Sequence, residues 1–517
     1  MILGKPARDG ADTPFRRTTL DDLFLRAVER RPDAVALIDP PNRARFTDGA
    51  SRRLTYAEAD RVVSALAARL TYLGLKTDAI VAVQLPNTVE SVLALLGVLR
   101  AGMIAAPLPL LWRQSDAVRA LTRIGARALI TARRVGPVDH GEIAMHVAAE
   151  TFTVRFLCGF GRDQPDGFVS LDDLFETGAA KAGGIERSGN PADHVAVVSF
   201  DTVAEGLVPV ARSHSELTAG GLTVAIEGRI GRGAAILGAL ATSSFAGLCT
   251  TIVPWLLCSG TLSLHQPFDG AAFAAQCRDR CDTVVVPGPL IARLTEAGLM
   301  DGRNAPRTVV SVWRAPERLV GSPPWEKKDV SMVDVLAFGE VGLVAARRKA
   351  DGKPAGLKTG PTVAPRSQGA GLVLIDLMRT QAGMVALAGA MVPHHPFPPG
   401  IERNGAPRLK IGDDGFVDTG YACRLERASG TLAINAPPAG IVSVGGYRFA
   451  LKELQDFIAT LADGSTLAAL PDALAGHRLA GVTNDRHAVR RALIDQGVNP
   501  LIVDAFRERR GDRASAA

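Results

Sequence analysis

Residues 54–132 constrain the fold most strongly, because their apolar pattern switches repeatedly between helical and strand periods. LTYAEADRVVSALAARLTYLGL (54–75) reads as an amphipathic helix with Thr55 as N-cap and Gly74 as its stop. IVAVQLP (80–86) reads as a strand, ESVLALLGVLRAG (90–102) as a helix ended by Gly102, and IAAPLP (104–109) as the next strand. SDAVRALTRIGARALIT then repeats helix and strand. Strands and helices that alternate across such short connections form crossover units, and crossover units build parallel sheets.

The pattern extends in both directions. Thr19 is the predicted N-cap of LDDLFLRAVERRPDA, with Asp22 in the capping-box position, and a strand follows over 34–39. A second α/β region begins near His194 and runs to about Gly342. From Gly371 onward the chain changes to short strands and turns, and NAPPAG (435–440) links into a compact tail. The expected organisation is an α/β subdomain over 1–190 and a second over 191–365, both with parallel-rich sheets. A β-rich subdomain over 366–435 follows, then a hinge and a shortened α+β C-terminal domain over 436–517. A chain of 517 residues exceeds what one core supports, so several units are expected in any case.

Composition bounds the function. Hydrophobic residues make up 47% and charged residues 22%, the balance of a soluble globular chain. The net charge of +6 is spread among interspersed acids and bases, which suits acidic small molecules or an acidic carrier protein and gives no nucleic-acid footprint. Six cysteines in so long a chain make no disulfide framework, so a reducing, cytoplasmic setting is expected. Cys277 and Cys281 read as buried thiols, with no metal site. MILGKPARDGADTPFRR lacks the apolar core of a signal peptide. Residues 234–264 carry no charge and are long enough to span a bilayer, but Ser, Thr, Gly and Pro254 interrupt them within an α/β pattern; a buried helix–strand pair is expected. GRIGRG (228–233) follows no clear strand and is not read as a dinucleotide fingerprint.

VVSFDTVAEGLVPVARSH (197–214) reads as a strand, a tight loop and the start of a helix at Ser213-His214. A phosphate-cradling loop takes this place in many nucleotide-binding proteins, yet this one has no lysine and a single glycine, Gly206.

Taken in order, these parts resemble the adenylate-forming superfamily of acyl-CoA synthetases, luciferases and peptide-synthetase adenylation domains, with residues 54–132 carrying the likeness best. The resemblance implies activation of a carboxylate with ATP to an acyl adenylate, then transfer to the thiol of CoA or a carrier protein. It also implies four motifs, and each departs from the family pattern here. Against FTSGTTGxPKGVxxSH the chain keeps Phe200, Gly206, Ser213 and His214. Asp201 and Glu205 replace hydroxyls, Val203 replaces a glycine, and Thr202 remains as a neighbouring donor. Against YGxTE it keeps Phe338 and Gly339; Glu340 is either the magnesium-side carboxylate or part of an ordinary loop. Against TGD it keeps Thr419 but has Tyr421 in place of the ribose-holding aspartate, and Asp418 points the other way along a strand. Against the hinge GRxxDxIKxxGG it keeps Gly445, Gly446, Tyr447 and Arg448, the expected thiol or pantetheine loop. There Pro437-Pro438 stiffens the linker and Gly440 replaces the hinge aspartate. The given sequence has no PxxxxGK, so the resemblance implies a missing catalytic lysine.

Three readings follow. The first is a degenerate acyl-CoA-synthetase-like protein with no catalytic or metal-binding residues. Its vestigial nucleotide site is at Thr202, Gly206, Ser213, His214, Phe338, Gly339, Glu340, Asp418, Thr419 and Tyr421, and it serves as a binding or partner protein for acyl-CoA or acyl carrier protein in acyl or fatty-acid metabolism. The second is an active ligase that uses ATP and magnesium to join a fatty or aromatic carboxylate to CoA or a carrier protein. The third is a structural partner without a ligand. Trp313 either fills adenine space or packs in the core, and the basic run 347–358 is either a solvated loop or a lure for an acidic partner.

Overall fold

The computed structural model describes residues 1–3, 17–176, 187–279, 281–301, 305–364, 371–399 and 406–507; the last ten residues of the predicted tail lie outside that set. The expected helices form where their caps predict. Thr19 and Thr55 each close a complete capping box, with Asp22 and Glu58 respectively, at the starts of Leu20–Arg30 and Tyr56–Tyr72.

Two large sheets share the N-terminal bulk. One has seven strands, in the order Gly206–Ser213, Val195–Val203, Ile104–Pro107, Ile80–Gln84, Ala128–Ala132, Phe156–Phe160 and Phe168–Ser170. The other has eight and is parallel from Thr261–Leu264 through Ala235–Gly238, Thr283–Pro287 and Thr308–Trp313 to Ser331–Phe338. The sheets exchange strands across residue 190. Val35–Ile38 and Arg53–Thr55 join the eight-stranded sheet, while the hairpin 195–213 completes the seven-stranded one, so the expected division at 190/191 does not separate them. The helix Val89–Arg100 is buried along its first eleven residues, as its all-round apolar sequence demands of an element lying inside a core.

The uncharged stretch 234–264 is a strand, a continuous helical segment from Phe245 to Cys258, and a second strand, all inside the eight-stranded sheet and its cover. Among the described residues, no helix is long and apolar enough to cross a membrane. GRIGRG ends the helix His214–Gly228 through a left-handed Arg229 and leads into a strand. Cys277 is buried at the end of the helix Gly270–Asp279 and Cys281 is half-buried just beyond it; neither forms a disulfide.

A six-stranded sheet gathers the short strands from Leu357 to Ala436. The tail builds a four-stranded antiparallel sheet with its own core, including Val444, Phe449, Ile458, Leu479, Leu493 and Phe506. It docks back on the N-terminal bulk. Arg119 pairs with Glu453, the Ser115 amide donates to the Gly497 carbonyl at 3.1 Å, and Arg318 donates to the carbonyls of Asp472, Ala473 and Leu474.

Two cations of the basic run prove structural. Arg348 forms a buried ion pair with Asp334 at 2.8 Å, and Arg347 donates to Ser331 Oγ and the Glu227 carbonyl. Both guanidinium groups are thus engaged within the fold.

Candidate functional site

The segment that opens the family resemblance is a hairpin rather than a loop. Val195–Val203 and Gly206–Ser213 pair antiparallel to their last rung, Val203 opposite Gly206, so only Ala204 and Glu205 form the turn. β-branched and apolar residues on both arms favour this ladder. A phosphate loop leaves consecutive backbone amides free to converge on an anion; here the backbone on both sides of the tip is extended and paired as a hairpin, a different shape. Gly206 holds φ +121 at the turn exit, a conformation open to glycine. Thr202 is half-buried and its amide donates to Asp201 Oδ1 at 2.7 Å.

Asp201 does not face outward as a misplaced carboxylate. It is buried and meets Arg448 at 2.5 Å, an ion pair with side-chain exposures of 8% and 10%. Its second oxygen accepts the Glu340 amide at 2.8 Å. Gly339 makes this approach possible: it sits at φ +57, and a Cβ there would fall on the Asp201 carboxylate and the Arg448 guanidinium. Glu205, by contrast, is exposed and pairs with Lys410 at 3.3 Å.

Glu340 is buried. One carboxylate oxygen accepts the Phe245 amide at 2.7 Å, at the start of the buried helical segment, and burial with the nearby Asp201 charge pushes its pKa up to about 6. Arg212 lies fully buried beneath, donating to the carbonyls of Met391, Glu340 and Val341 and lying over the Phe245 ring at 3.9 Å. Glu340 therefore anchors a helix start. Among the described residues no three acidic, His or Cys side chains gather as a metal would need. The residues do not fit a triphosphate with its magnesium. The cation nearest the hairpin is already paired with Asp201, and the tip is a two-residue turn in a paired hairpin rather than an open glycine-rich loop.

The remaining predicted residues fall into structural places. Ser213 caps the helix His214–Gly228 in a capping box with Glu216. His214 is buried, its Nδ1 accepts the Leu20 amide at 3.2 Å, and burial pushes its pKa down to about 3. Phe338 is buried and meets Tyr421 edge-on, with centroids 5.4 Å apart. The Tyr421 ring lies beneath Arg448, is buried, and is not among the residues lining the cavity; burial pushes its phenol up to about 12. Thr419 donates to the Val385 carbonyl, and Asp418 is exposed on the other face, accepting the Gly420 amide. Trp313 is core: its indole N–H donates to Ser311 and Asp334, and the bare Gly288 faces its ring.

Gly445, Gly446, Tyr447 and Arg448 do converge on a cavity, forming the turn and second strand of a hairpin with Ile441–Val444. The cavity measures about 460 Å³ and lies between this hairpin, the hairpin 195–213, and the strand ends at Val312 and Ala337. Trp112 and Phe200 form one wall, their rings 5.4 Å apart. Arg314 reaches it because strand alternation turns Trp313 into the sheet while its two neighbours face the other way. Sequence reasoning missed Arg314; its signal was a guanidinium beside Trp313, where the resembled family has a Gly-Gly-Ala turn.

This arrangement is that of an adenylating fold, and comparison agrees. The AMP-binding enzyme family matches residues 24–321, more than half of the chain, and the protein belongs to that family. A 2-hydroxy-7-methoxy-5-methyl-1-naphthoate–CoA ligase of Streptomyces carzinostaticus is 26% identical over 490 residues, 92% of this chain and 85% of that one. The amide bond synthetase McbA of Marinactinospora thermotolerans superposes with a TM-score of 0.69 at 16% identity, covering 94% of each chain. An artificially fused adenylation–PCP di-domain NRPS from Klebsiella oxytoca gives 0.66 at 17% identity, covering 95% of this chain and 93% of that one. At such identities the solved structures establish the fold alone.

Proposed function

We propose that this acyl-CoA-synthetase-like protein does not adenylate, and serves instead as a ligand-binding or partner protein in acyl metabolism. The Asp201–Arg448 ion pair carries the reading: an internal carboxylate occupies the guanidinium near the tip of a fully paired hairpin. Adenylation depends on preorganised donors around developing phosphate charge, and losing one such donor commonly costs about 2.7–4 kcal/mol of transition-state stabilisation. Here donors, cation and loop shape are altered together. The hairpin Ile441–Ala450, with Gly445–Arg448 on the cavity wall, is the surface this reading offers to acyl-CoA or an acyl carrier protein; the resemblance to an adenylation–PCP di-domain supports a carrier.

A thermal shift with ATP–magnesium and AMP–magnesium tests the reading: neither nucleotide should raise the midpoint, and a saturable rise with either contradicts it. The second reading is an ATP-dependent ligase acting on an aromatic carboxylate, favoured by the naphthoate–CoA ligase relative that spans most of the chain.

A further inference from the structure

A second, open groove of about 510 Å³ lies at the end of the eight-stranded sheet opposite the cavity. The strand Ala235–Gly238 starts just past Arg232 on the groove's rim and runs to Ala239 and Leu240 in the cavity wall. Three helical segments end around the groove: Leu20–Arg30, His214–Gly228 and the one that closes at Cys258. Leu222, Ile226, Ile230 and Leu257 make its apolar wall. Leu222 and Ile226 stand four apart on one helix face, and Ile226 is 41% exposed. The rim is cationic. Arg30 and Arg232 are exposed, and neither forms a hydrogen bond or ion pair among the described residues. The carbonyls that end the segment at Cys258 are answered without them: Arg31 donates to Ser259 at 2.6 Å and the Gly233 amide to Cys258 at 2.7 Å. No carboxylate lines the groove among the described residues. Glu29 lies about 100° round its helix from Arg30, and Glu227 accepts the Arg347 amide.

From this we infer that the groove docks an acidic amphipathic helix of a partner protein, its apolar ridge on Leu222, Ile226, Ile230 and Leu257 and its carboxylates on Arg30 and Arg232. The inference goes beyond the function proposed above and does not depend on whether the chain adenylates. An apolar strip bordered by polar and cationic groups is the anatomy of a protein-docking surface. A groove of this kind takes an amphipathic helix through side chains at i, i+3 and i+4. Rim charge of one sign selects a partner of the other sign and steers its approach. Other occupants match these features less well. A small ligand needs walls that enclose most of its surface, and here both arginines and Ile226 stand in solvent. A second copy meeting the same face across a two-fold axis would set the arginines of one copy against those of the other. A bilayer surface calls for a protruding apolar face, whereas these side chains line a concave one.

Fluorescence anisotropy of labelled peptides mixed with the full chain tests this. The acidic probe is a helix of about 15 residues, long enough to hold its shape, with a leucine stripe flanked by glutamates. One control carries lysines in place of the glutamates, and the other serines in place of the leucines. The acidic probe should bind, with both controls at least about tenfold weaker, the scale of two exposed ion pairs or of one buried leucine. Ile226→Asp should weaken the acidic probe by a similar factor. The double variant Arg30→Glu with Arg232→Glu should reverse the preference and take the lysine peptide over the glutamate one. Both positions are exposed, so its melting temperature should match the parent's. No binding of the acidic probe, or equal binding of the acidic and basic probes, overturns the inference. An unchanged preference in the double variant overturns it too. Two outcomes overturn it by naming another occupant. One is a concentration-dependent dimer in sedimentation that Ile226→Asp dissolves. The other is binding to phosphatidylglycerol vesicles that the double variant loses while the acidic peptide fails to bind. ATP or AMP binding in the cavity contradicts only the function proposed above and leaves these outcomes in force.

Discussion

Asp201 and Arg448, 247 residues apart, meet at 2.5 Å in a buried contact that ties the tail domain to the hairpin of the N-terminal bulk. Removing one partner of a buried pair leaves the other charge uncompensated, at about 3–5 kcal/mol. Asp201→Asn or Arg448→Met should therefore loosen the tail, read as faster hydrogen exchange across 441–450 and earlier proteolysis near the Pro437-Pro438 linker. The reversed pair, Asp201→Arg with Arg448→Asp, should recover part of the loss if the coupling is direct. Unchanged exchange in both single variants would show that the pair does not hold the domain.

Gly339 separates those two side chains from the backbone that supports Glu340. Its φ of +57 is already a position where other residues are strained, and a Cβ would displace both charges. Gly339→Ala should cost about 1–3 kcal/mol from the backbone alone, with further loss from the broken pair. Chemical denaturation should show a lowered midpoint with an unchanged slope.

Arg212 is fully buried, donates to three carbonyls at once and has the Glu216 and Glu340 charges nearby. Arg212→Met keeps the apolar bulk over Phe245 but leaves those carbonyls unpaired, at about 1–3 kcal/mol each. The variant should accumulate as insoluble protein, or melt far below the parent in differential scanning calorimetry.

His214 gives stability a predictable pH dependence. It is held neutral in the fold, with its pKa pushed by burial from the usual 6.5 down to about 3, because a protonated Nδ1 could no longer accept the Leu20 amide. Its contribution is present above pH 6.5 and is lost as pH falls toward 3, at up to about 1.4 kcal/mol per pH unit. His214→Gln should be less stable at pH 7.5 but should close that gap between pH 6.5 and 5. A gap that is constant across this range would contradict the buried neutral imidazole.

The strand–helix alternation of 54–132 was legible because caps, glycine stops and apolar periodicity all agree locally, and those elements form where predicted. The exchange of strands between the two sheets was not, since Val35–Ile38 finds Thr261–Leu264 across more than 200 residues and no local pattern encodes that partner. The hairpin 195–213 was misread as strand, loop and helix start. Its apolar second arm, LVPVARS, fits a strand as well as a loop and helix start, and only the pairing with 195–203 decides between them. Asp201 was read as a repulsive intruder because its partner lies in the tail. Arg314 is illegible in the sequence because its place on the cavity wall depends on the packing of the tail against the strand ends.

The central claim is that the family's fold persists here without its nucleotide chemistry. Exchange of labelled pyrophosphate into ATP, measured with the full chain, magnesium and a panel of fatty and aromatic carboxylic acids, tests it most directly. The account predicts no exchange above the acid-free background for any member of the panel. Robust acid-dependent exchange with even one of them would contradict it.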